Sequence, residues 1–295
     1  MIVNWHMHLL AADRWAAAHP ELAGTPPVDA LLRTMDACGI DWTCISTGWP
    51  LFGQEEPAAF TRILHEHADR LIGFGFLFPG LPDYLRETNA RELPPHYRNT
   101  IRDGWRKHIG AIPDGPDRVD RYAEDGYRGI KIQVPGTYLD DDKLLPIYER
   151  AAAHRMPVLF HTTLYQPPKG MQAWNYEAPP LLERIARKVP HGTFVGAHMG
   201  GLYYTWHYEL AQALMIAREN LYFDTCGRGI PEGMTWQPEA LEKVLWGDEF
   251  GILEDRMRRE LARIEHDLDA HDVPSDLRRA IMGETAARLL GLVSL

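Results

Sequence analysis

The feature that most constrains the fold is a regular alternation of short buried strands with amphipathic helices. Eight segments rich in β-branched, aromatic and leucine residues recur along the chain, most of them closed by glycine, proline or a polar residue. The segment 71–78 is almost continuously apolar, which is typical of a strand buried on both faces of a parallel sheet. We predict strands at 2–9, 41–47, 71–78, 127–134, 157–164, 193–198, 221–225 and 243–248.

Helical patterns lie between these strands, with apolar residues that return every three or four positions. They cover residues 27–38, 57–70, 144–154, 179–188 and 204–219, and two terminal helices are expected at 253–270 and 275–292. The alternation predicts one α/β domain over residues 1–295, a (β/α)₈ TIM barrel, although an open doubly wound sheet has the same local pattern. The long connection 80–126 is predicted to be a helical insertion between strands 3 and 4.

The charge balance narrows the partners of the chain. It carries 31 Lys and Arg against 41 Asp and Glu, a formal net charge of −10. Nucleic acids and anionic membranes bind clustered basic residues, so we expect neither, and a small-molecule substrate becomes the default partner. Whether the chain forms a homodimer is left open. Three cysteines without C-x-x-C spacing and the lack of a signal pattern or a long apolar run predict a cytoplasmic protein.

A His-x-His pair ends the first predicted strand. His6 and His8 are two residues apart, and such residues on a strand face the same side, so both imidazoles can enter the mouth of a barrel. The same spacing recurs in His65 and His67, but this pair lies in a helical pattern, where residues two apart point in different directions. We expect the second pair on a solvated helix face. The alternative for the first pair is two buried, hydrogen-bonded core histidines.

Ionisable residues also end three later strands. His161 ends the fifth strand, His198 ends the sixth, and Asp248 and Glu249 end the eighth. The C-terminal ends of barrel strands converge on one face, where such enzymes place their active sites. A stable strand end needs no histidine, so this cluster of imidazoles and carboxylates is better explained by a divalent metal ion with nitrogen and oxygen ligands.

These residues, in this order and spacing, resemble the amidohydrolase superfamily, specifically the branch that includes aminocarboxymuconate semialdehyde decarboxylase. The resemblance spans nearly the whole chain and includes the sequences GIKI at 129–132, GAHMGG at 196–201 and IMGETAARLLGL at 281–292. Relatives usually carry Gly-x-Asn-Ala-x-Arg-Leu-Leu in the last segment, and Thr285 stands in place of that asparagine. The combination is specific for the superfamily but not for one reaction.

The resemblance implies that His6, His8 and His161 bind one divalent metal ion, usually zinc, together with a carboxylate from the eighth strand. It also implies that His198 lies near the metal as a proton-transfer or water-orienting group. Lys131 would bridge two metal ions only if it were carboxylated, as it is in binuclear relatives. Because this branch commonly carries a lysine there without that role, a mononuclear site is expected.

Which residue supplies the eighth-strand carboxylate is left open between the neighbours Asp248 and Glu249. A gapless alignment with relatives places Glu249 at the position of the functional aspartate, whereas keeping the residue type requires a one-residue deletion and selects Asp248. Neighbouring side chains on a strand point to opposite faces, so only one of them can enter the barrel unless the strand has already ended. The inward residue would bind the metal and, with His198, handle protons as a catalytic residue. The outward residue is expected to form hydrogen bonds with neighbouring backbone groups or with an arginine side chain.

Aromatic and polar loops surround the predicted mouth. Tyr165 and Trp174 follow the fifth strand and Tyr203 follows the sixth, and aromatic walls with polar tips suit a small, flat or carboxylated substrate. Arg228, beyond the seventh strand, could bind a substrate carboxylate because guanidinium matches that group bidentately. The alternatives are packing of the aromatic residues against the 80–126 insertion and a surface position for Arg228.

The sequence therefore predicts a metal-dependent hydrolase that acts on a small ester, lactone or amide through metal-activated water. A non-oxidative decarboxylase of a small unsaturated or aromatic carboxylate would share every ligand and is the alternative. A third hypothesis is a non-catalytic barrel stabilised by metal, which would have a closed coordination shell, whereas catalytic sites keep an open position.

Overall fold

Eight short strands form the sheet on which the site is built. The computed structural model describes residues 1–22, 24–46, 57–79, 115–133, 137–162, 177–201, 206–249 and 252–292. The strands are β1 (Val3–His8), β2 (Trp42–Ser46), β3 (Leu71–Leu77), β4 (Gly129–Ile132), β5 (Val158–Phe160), β6 (Phe194–Gly196), β7 (Leu221–Asp224) and β8 (Val244–Leu245). Each strand pairs in parallel with the next one along the chain. Every predicted strand segment therefore contains an observed strand.

The first and last strands meet and close the sheet. The Trp5 amide donates to the Trp246 carbonyl at 3.0 Å, and the His8 amide donates to the Glu249 carbonyl at 3.1 Å. Gly247 lies in this seam, where a Cβ atom would stand 3.1 Å from the His6 nitrogen, so a side chain here would push the strands apart. The predicted (β/α)₈ barrel is confirmed. An open doubly wound sheet is wrong, because the strand order is sequential and the two edges meet.

Helices surround the barrel. They are α1 (Ala12–Ala18), α2 (Pro27–Cys38), α3 (Pro57–Glu66), α4 (Pro116–Glu124), α5 (Leu145–Ala153), α6 (Pro179–Lys188), α7 (Trp206–Ala217), α8 (Pro238–Leu241), α9 (Glu254–Ala270), α10 (Ser275–Arg279) and α11 (Thr285–Leu289). The predicted helices 27–38 and 179–188 match α2 and α6 in both bounds. Both begin with proline, whose fixed φ suits a first helical turn. No helix in the described part of the chain is long and apolar enough to cross a membrane.

The structure has more helices in the described residues than the sequence predicts. Helices α1 and α8 are not predicted, because they have only seven and four residues and so show little periodicity. The single helix predicted at 275–292 is divided into α10 and α11 by a π-helical turn at Ala280–Glu284. The predicted insertion at 80–126 falls mostly on residues 80–114, outside the described residues. It therefore stays a prediction, apart from α4, which leads into β4.

Two apolar layers hold the barrel together. The larger one fills the space between the strands and the helices. The smaller one fills the barrel interior and consists of Val3, Trp5, Cys44, Ile72, Phe74, Leu159, Val195, Ala197 and Leu245, with Ala286, Ala287 and Leu290 from the last helical segment of the chain. Thr285 donates its hydroxyl to the Glu242 carbonyl just before β8, so α11 packs under the N-terminal end of the barrel. The opposite, C-terminal end is left for polar groups.

A register shift in β1 decides which of its side chains reach that end. Asn4 pairs with Thr43 and Met7 pairs with Ile45, so β1 uses one residue more than β2 over this stretch. Trp5 stays in the interior layer, where its ring meets that of Phe74 edge-on at 5.2 Å. Beyond the shift, Met7 joins the outer layer instead. Bulges of this kind re-aim side chains next to active sites, and this one directs His6 and His8 toward the mouth.

Candidate active site

His6 and His8 meet a carboxylate from the opposite side of the seam. Their ring centroids are 5.3 Å apart, and His8 Nε2 lies 3.6 Å from Glu249 Oε1. One ligand atom from each of these three residues can be chosen so that all lie within 4.8 Å of one another. The two histidines are almost fully buried. Strand β1 and the residues after β8 thus bring two imidazoles and one carboxylate to the same point.

The Asn4 side chain connects the two strands where the register shifts. Its Oδ1 accepts from the Asp248 amide at 2.9 Å and from the His6 amide at 3.3 Å. Asn4 is completely buried, and its Oδ1 thus satisfies two backbone donors at the irregular part of β1. This amide therefore helps to fix the backbone that carries His6 and Glu249.

Asp248 and Glu249 take different directions, as neighbouring residues of an extended chain do. Glu249 approaches His8 in the mouth. The Asp248 carboxylate is buried, and its Oδ1 lies 3.5 Å from Arg256 Nη2 on α9. The arrangement has the geometry expected for an inward glutamate and an outward aspartate held by arginine.

Asp224, at the end of β7, joins two of the histidines and is not predicted by the sequence analysis. Its Oδ2 lies 2.9 Å from His6 Nδ1. Its Oδ1 accepts from the His198 amide at 2.8 Å and from the Cys226 amide at 3.1 Å. Burial alone would raise the pKa of Asp224, but contact with His6 lowers it overall, so the carboxylate is ionised and can only accept. His6 therefore carries its proton on Nδ1 and presents the lone pair of Nε2.

The chain turns sharply at His198, immediately after β6. His198 and Met199 have φ values of 58° and 49°, in the left-handed region that non-glycine residues rarely adopt. Such strain persists only where the surroundings hold it, and here the bond from the His198 amide to Asp224 does so. Gly201 ends the turn, and a Cβ atom there would collide with the His207 ring of α7.

The hydrogen bonds of His198 determine which nitrogens of His161 carry protons. His198 Nδ1 is 3.0 Å from the Cys226 carbonyl, which can only accept, so this nitrogen holds the proton. His198 Nε2 then accepts from His161 Nδ1 at 3.3 Å. The remaining nitrogen, His161 Nε2, is buried with no hydrogen-bond partner among the described residues, and Glu177 Oε2 is 4.0 Å away. A buried lone pair of this kind is available to a metal ion.

Lys131 reaches the same cluster from β4. It is almost fully buried, and its Nζ donates to His6 Nε2 at 3.1 Å. Burial lowers the pKa of this lysine. A metal ion and the lysine nitrogen would therefore both approach His6 Nε2. The expectation that Lys131 does not bridge two metal ions stays a prediction.

Burial sets the charge of the other groups. Burial, with a further contribution from the charge of Lys131, lowers the pKa of His6 to about 3. Burial also lowers the pKa of His8 and takes that of His161 well below its usual range. For Glu249 burial works in the opposite direction, but the neighbouring imidazoles outweigh it and lower the carboxyl pKa overall. At neutral pH the site offers neutral imidazoles and an ionised carboxylate.

These residues fit a divalent metal ion. Neutral imidazole nitrogens and carboxylate oxygens are the ligands that zinc and similar ions take, and the proton positions leave lone pairs on His6 Nε2 and His161 Nε2. His161 is in the cluster through His198, whose ring centroid is 5.1 Å away. In the part of the chain that the structure describes, it joins none of the three-residue groups within 4.8 Å.

Three of the four predicted substrate residues, Tyr165, Trp174 and Tyr203, lie outside the described residues, and their roles stay predictions. Arg228 is described. It lies half-buried in the turn after β7, where its amide donates to the Thr225 carbonyl at 2.7 Å. Its charge lowers the pKa of His207, after the larger effect of burial. It is therefore at the C-terminal end of the barrel rather than on a remote surface.

Asn4 and Asp224 are the main residues that sequence reasoning missed. A signal existed for Asp224, because it ends a predicted barrel strand just as His161 and His198 do. No comparable signal exists for Asn4, whose role depends on the register shift in β1.

Comparison with known proteins agrees with this architecture. Residues 101–292 match the model of the Amidohydrolase family, a stretch that contains β4 to β8 but not β1. A search of curated proteins found no match.

Solved structures share the fold over nearly their whole length. A TIM-barrel protein from Bordetella bronchiseptica is 13% identical with a TM-score of 0.62, covering 98% of each chain. The 2,6-dihydroxybenzoate decarboxylase from Rhizobium is 14% identical with a TM-score of 0.57, covering 99% of this chain and 98% of its own. A Pseudomonas putida protein assigned as a 2-pyrone-4,6-dicarboxylic acid hydrolase is 15% identical with a TM-score of 0.58, and the match covers 100% of this chain and 98% of its own. Because the family match extends over more than half of the 295 residues, this chain belongs to the amidohydrolase family.

Proposed function

We propose that this protein is an enzyme that hydrolyses a small ester, lactone or amide with the help of one divalent metal ion, zinc. The observation that carries the proposal is the meeting of His6, His8 and Glu249, with ligand atoms within 4.8 Å of one another at the mouth of the barrel. Two neutral imidazoles and an ionised carboxylate are ligands typical of zinc. We add His161 as a fourth ligand because its buried Nε2 has no hydrogen-bond partner among the described residues.

A divalent ion held there would act as a Lewis acid, lowering the pKa of a water molecule toward about 7 and polarising a substrate carbonyl. The protein's own groups then bind, orient and move protons. Glu249 is ionised at neutral pH and lies 3.6 Å from His8, so its carboxylate can accept a proton inside the mouth. Arg228 provides a half-buried cation that can orient an acidic substrate.

His198 is the residue that we propose to pass a proton to the leaving group. Its Nδ1 donates to the Cys226 carbonyl, so a mobile proton has to sit on Nε2. That nitrogen faces His161 Nδ1 at 3.3 Å, a long contact for a hydrogen bond of this type, so proton transfer requires this contact to open. The sequence leaves Asp248 as the catalytic alternative to Glu249. Its contact with Arg256 favours a supporting role in this proposal.

Decarboxylation of a small unsaturated or aromatic carboxylate is a second candidate. Two cations favour it, because Lys131 and Arg228 could hold the negative charge of a carboxylate near the same histidines. In that reaction a proton adds to the substrate carbon, the bond to the carboxylate breaks with its electron pair restoring the π system, and CO₂ leaves. The decarboxylase from Rhizobium has the same fold.

The two reactions are distinguished by the atoms they take from solvent. Zinc-loaded protein should be screened against lactones, esters, amides and aromatic carboxylates in H₂¹⁸O and, separately, in D₂O. Hydrolysis is expected to place one ¹⁸O atom in the acid product. Release of CO₂ with deuterium on the carbon that carried the carboxylate would instead establish decarboxylation.

Metal content tests the rest of the proposal. Protein purified without chelator should hold about one divalent ion per chain, as a mononuclear site requires. Two ions, together with the added mass of CO₂ on Lys131, would replace it by a bridged binuclear site. No bound metal at all would overturn the proposed function. A metal ion whose coordination shell is complete without water, together with no turnover, would support the non-catalytic barrel.

A further inference from the structure

We infer that Asp224 is a positioning residue that makes His6 a metal ligand by holding its proton on Nδ1. The inference deepens the proposed function and rests on its metal site. It concerns a strand, β7, that supplies none of the proposed ligands. Asp224 acts through His6 and through the turn at His198, since its two oxygens contact only these regions and the Cys226 amide among the described residues.

The hydrogen bonds around Asp224 and His6 favour one distribution of protons. Oδ1 accepts from two backbone amides, at 2.8 Å from His198 and 3.1 Å from Cys226. Backbone amides cannot accept, so the atom at this position must be an acceptor. Oδ2 faces His6 Nδ1 at 2.9 Å, while Lys131 Nζ, a donor, faces the other ring nitrogen, His6 Nε2, at 3.1 Å. Nδ1 is thereby protonated and Nε2 keeps its lone pair, as a metal ligand must.

An asparagine at this position would reverse the bond to His6. Its single oxygen would be needed by the amides of His198 and Cys226, so its NH₂ group would have to face His6 Nδ1. That nitrogen would then become the acceptor, and the ring proton would move to Nε2, where a metal ion needs the lone pair. The same exchange beside an imidazole in other enzymes is known to select the wrong tautomer. Asp224→Asn keeps the shape of the side chain and changes the proton position.

The experiment reads the tautomer and the metal affinity separately. Long-range ¹H–¹⁵N NMR spectra of zinc-free protein, with the His6 signal assigned by its loss in His6→Gln, report which ring nitrogen carries hydrogen. The wild type is expected to show protonated Nδ1, and Asp224→Asn is expected to show protonated Nε2. Zinc titration should give a loss of affinity of at least about 10- to 100-fold in the variant, the usual cost of losing a residue that orients a metal ligand.

Asp120→Asn is the matched control. Asp120 Oδ1 lies 2.6 Å from His154 Nε2, an aspartate–histidine pair between α4 and α5 at the surface. This variant should leave both the His6 tautomer and the zinc affinity unchanged. Protonated Nε2 in the wild type would overturn the inference even if Asp224→Asn does not fold. Unchanged zinc affinity in folded Asp224→Asn would also overturn it. A wild type that binds no zinc would overturn the proposed function, while the tautomer would still decide the role of Asp224.

Discussion

Two His-x-His pairs with the same spacing have opposite surroundings in this protein. His6 and His8 lie on β1, almost fully buried, with ring centroids 5.3 Å apart and a carboxylate beside them. His65 lies in the last turn of α3 and is exposed, and its Nε2 donates to the Asp125 carbonyl at 2.9 Å. His67 follows the end of that helix and is half-buried. The spacing of two residues therefore has chemical meaning only on a strand, where it places both side chains on one side.

The largest effect should come from breaking the first pair. His6→Ala/His8→Ala removes two proposed ligands and is expected to reduce bound zinc to below about 0.1 equivalent per chain, because too few donors remain for a tetrahedral site. Elemental analysis of protein purified without chelator measures the change. Full metal loading in this variant would remove the metal assignment for β1 altogether.

His198→Ala tests whether this residue moves protons or only orients His161. Loss of a general acid or base is expected to reduce turnover by about 10²- to 10⁴-fold while most of the metal remains bound. The measurement is kcat, with zinc content determined on the same samples.

A loss of zinc in this folded variant would have a different meaning. It would show that the contact between His198 Nε2 and His161 Nδ1 is needed to orient a ligand, and the proposed proton transfer would be wrong.

Glu249→Gln and Asp248→Asn form a pair that separates the two neighbouring carboxylates. Glu249→Gln removes the charge beside His8 and should weaken zinc binding by at least about tenfold. Asp248→Asn keeps a polar group beside Arg256 and should stay within about twofold of the parent. Zinc titration of both variants makes the comparison. A larger loss of zinc affinity in Asp248→Asn than in Glu249→Gln would show that Asp248, and not Glu249, is the carboxylate in the mouth.

The smallest effect is expected from the second histidine pair. His65→Ala/His67→Ala removes the bond to the Asp125 carbonyl but no group of the site. Zinc content should equal that of the parent, and Tm should change by no more than about 2 °C, as is usual for substitutions outside the core. A loss of metal comparable to that of His6→Ala/His8→Ala would show that the secondary structure does not distinguish the two pairs.

The barrel was predictable because its signals are local. Buried parallel strands read as continuous apolar runs, and the helices between them show their own period, so α2 and α6 have the predicted bounds. The same apolar runs placed His161 and His198 at strand ends. The long connection before β4 carried no such signal beyond its length, and most of it lies outside the described residues.

The sequence by itself determined the alternation of eight strands with helices and the strand-end positions of the histidines, because both depend on periods of two to four residues along one segment. Only the tertiary structure decided which groups of different strands meet. The register shift in β1, the Asn4 bonds across the seam and the two-sided contacts of Asp224 join residues up to 244 positions apart. Such contacts depend on how β1, β7 and β8 pack against one another. The periodicity within a single strand or helix carries no information about this packing.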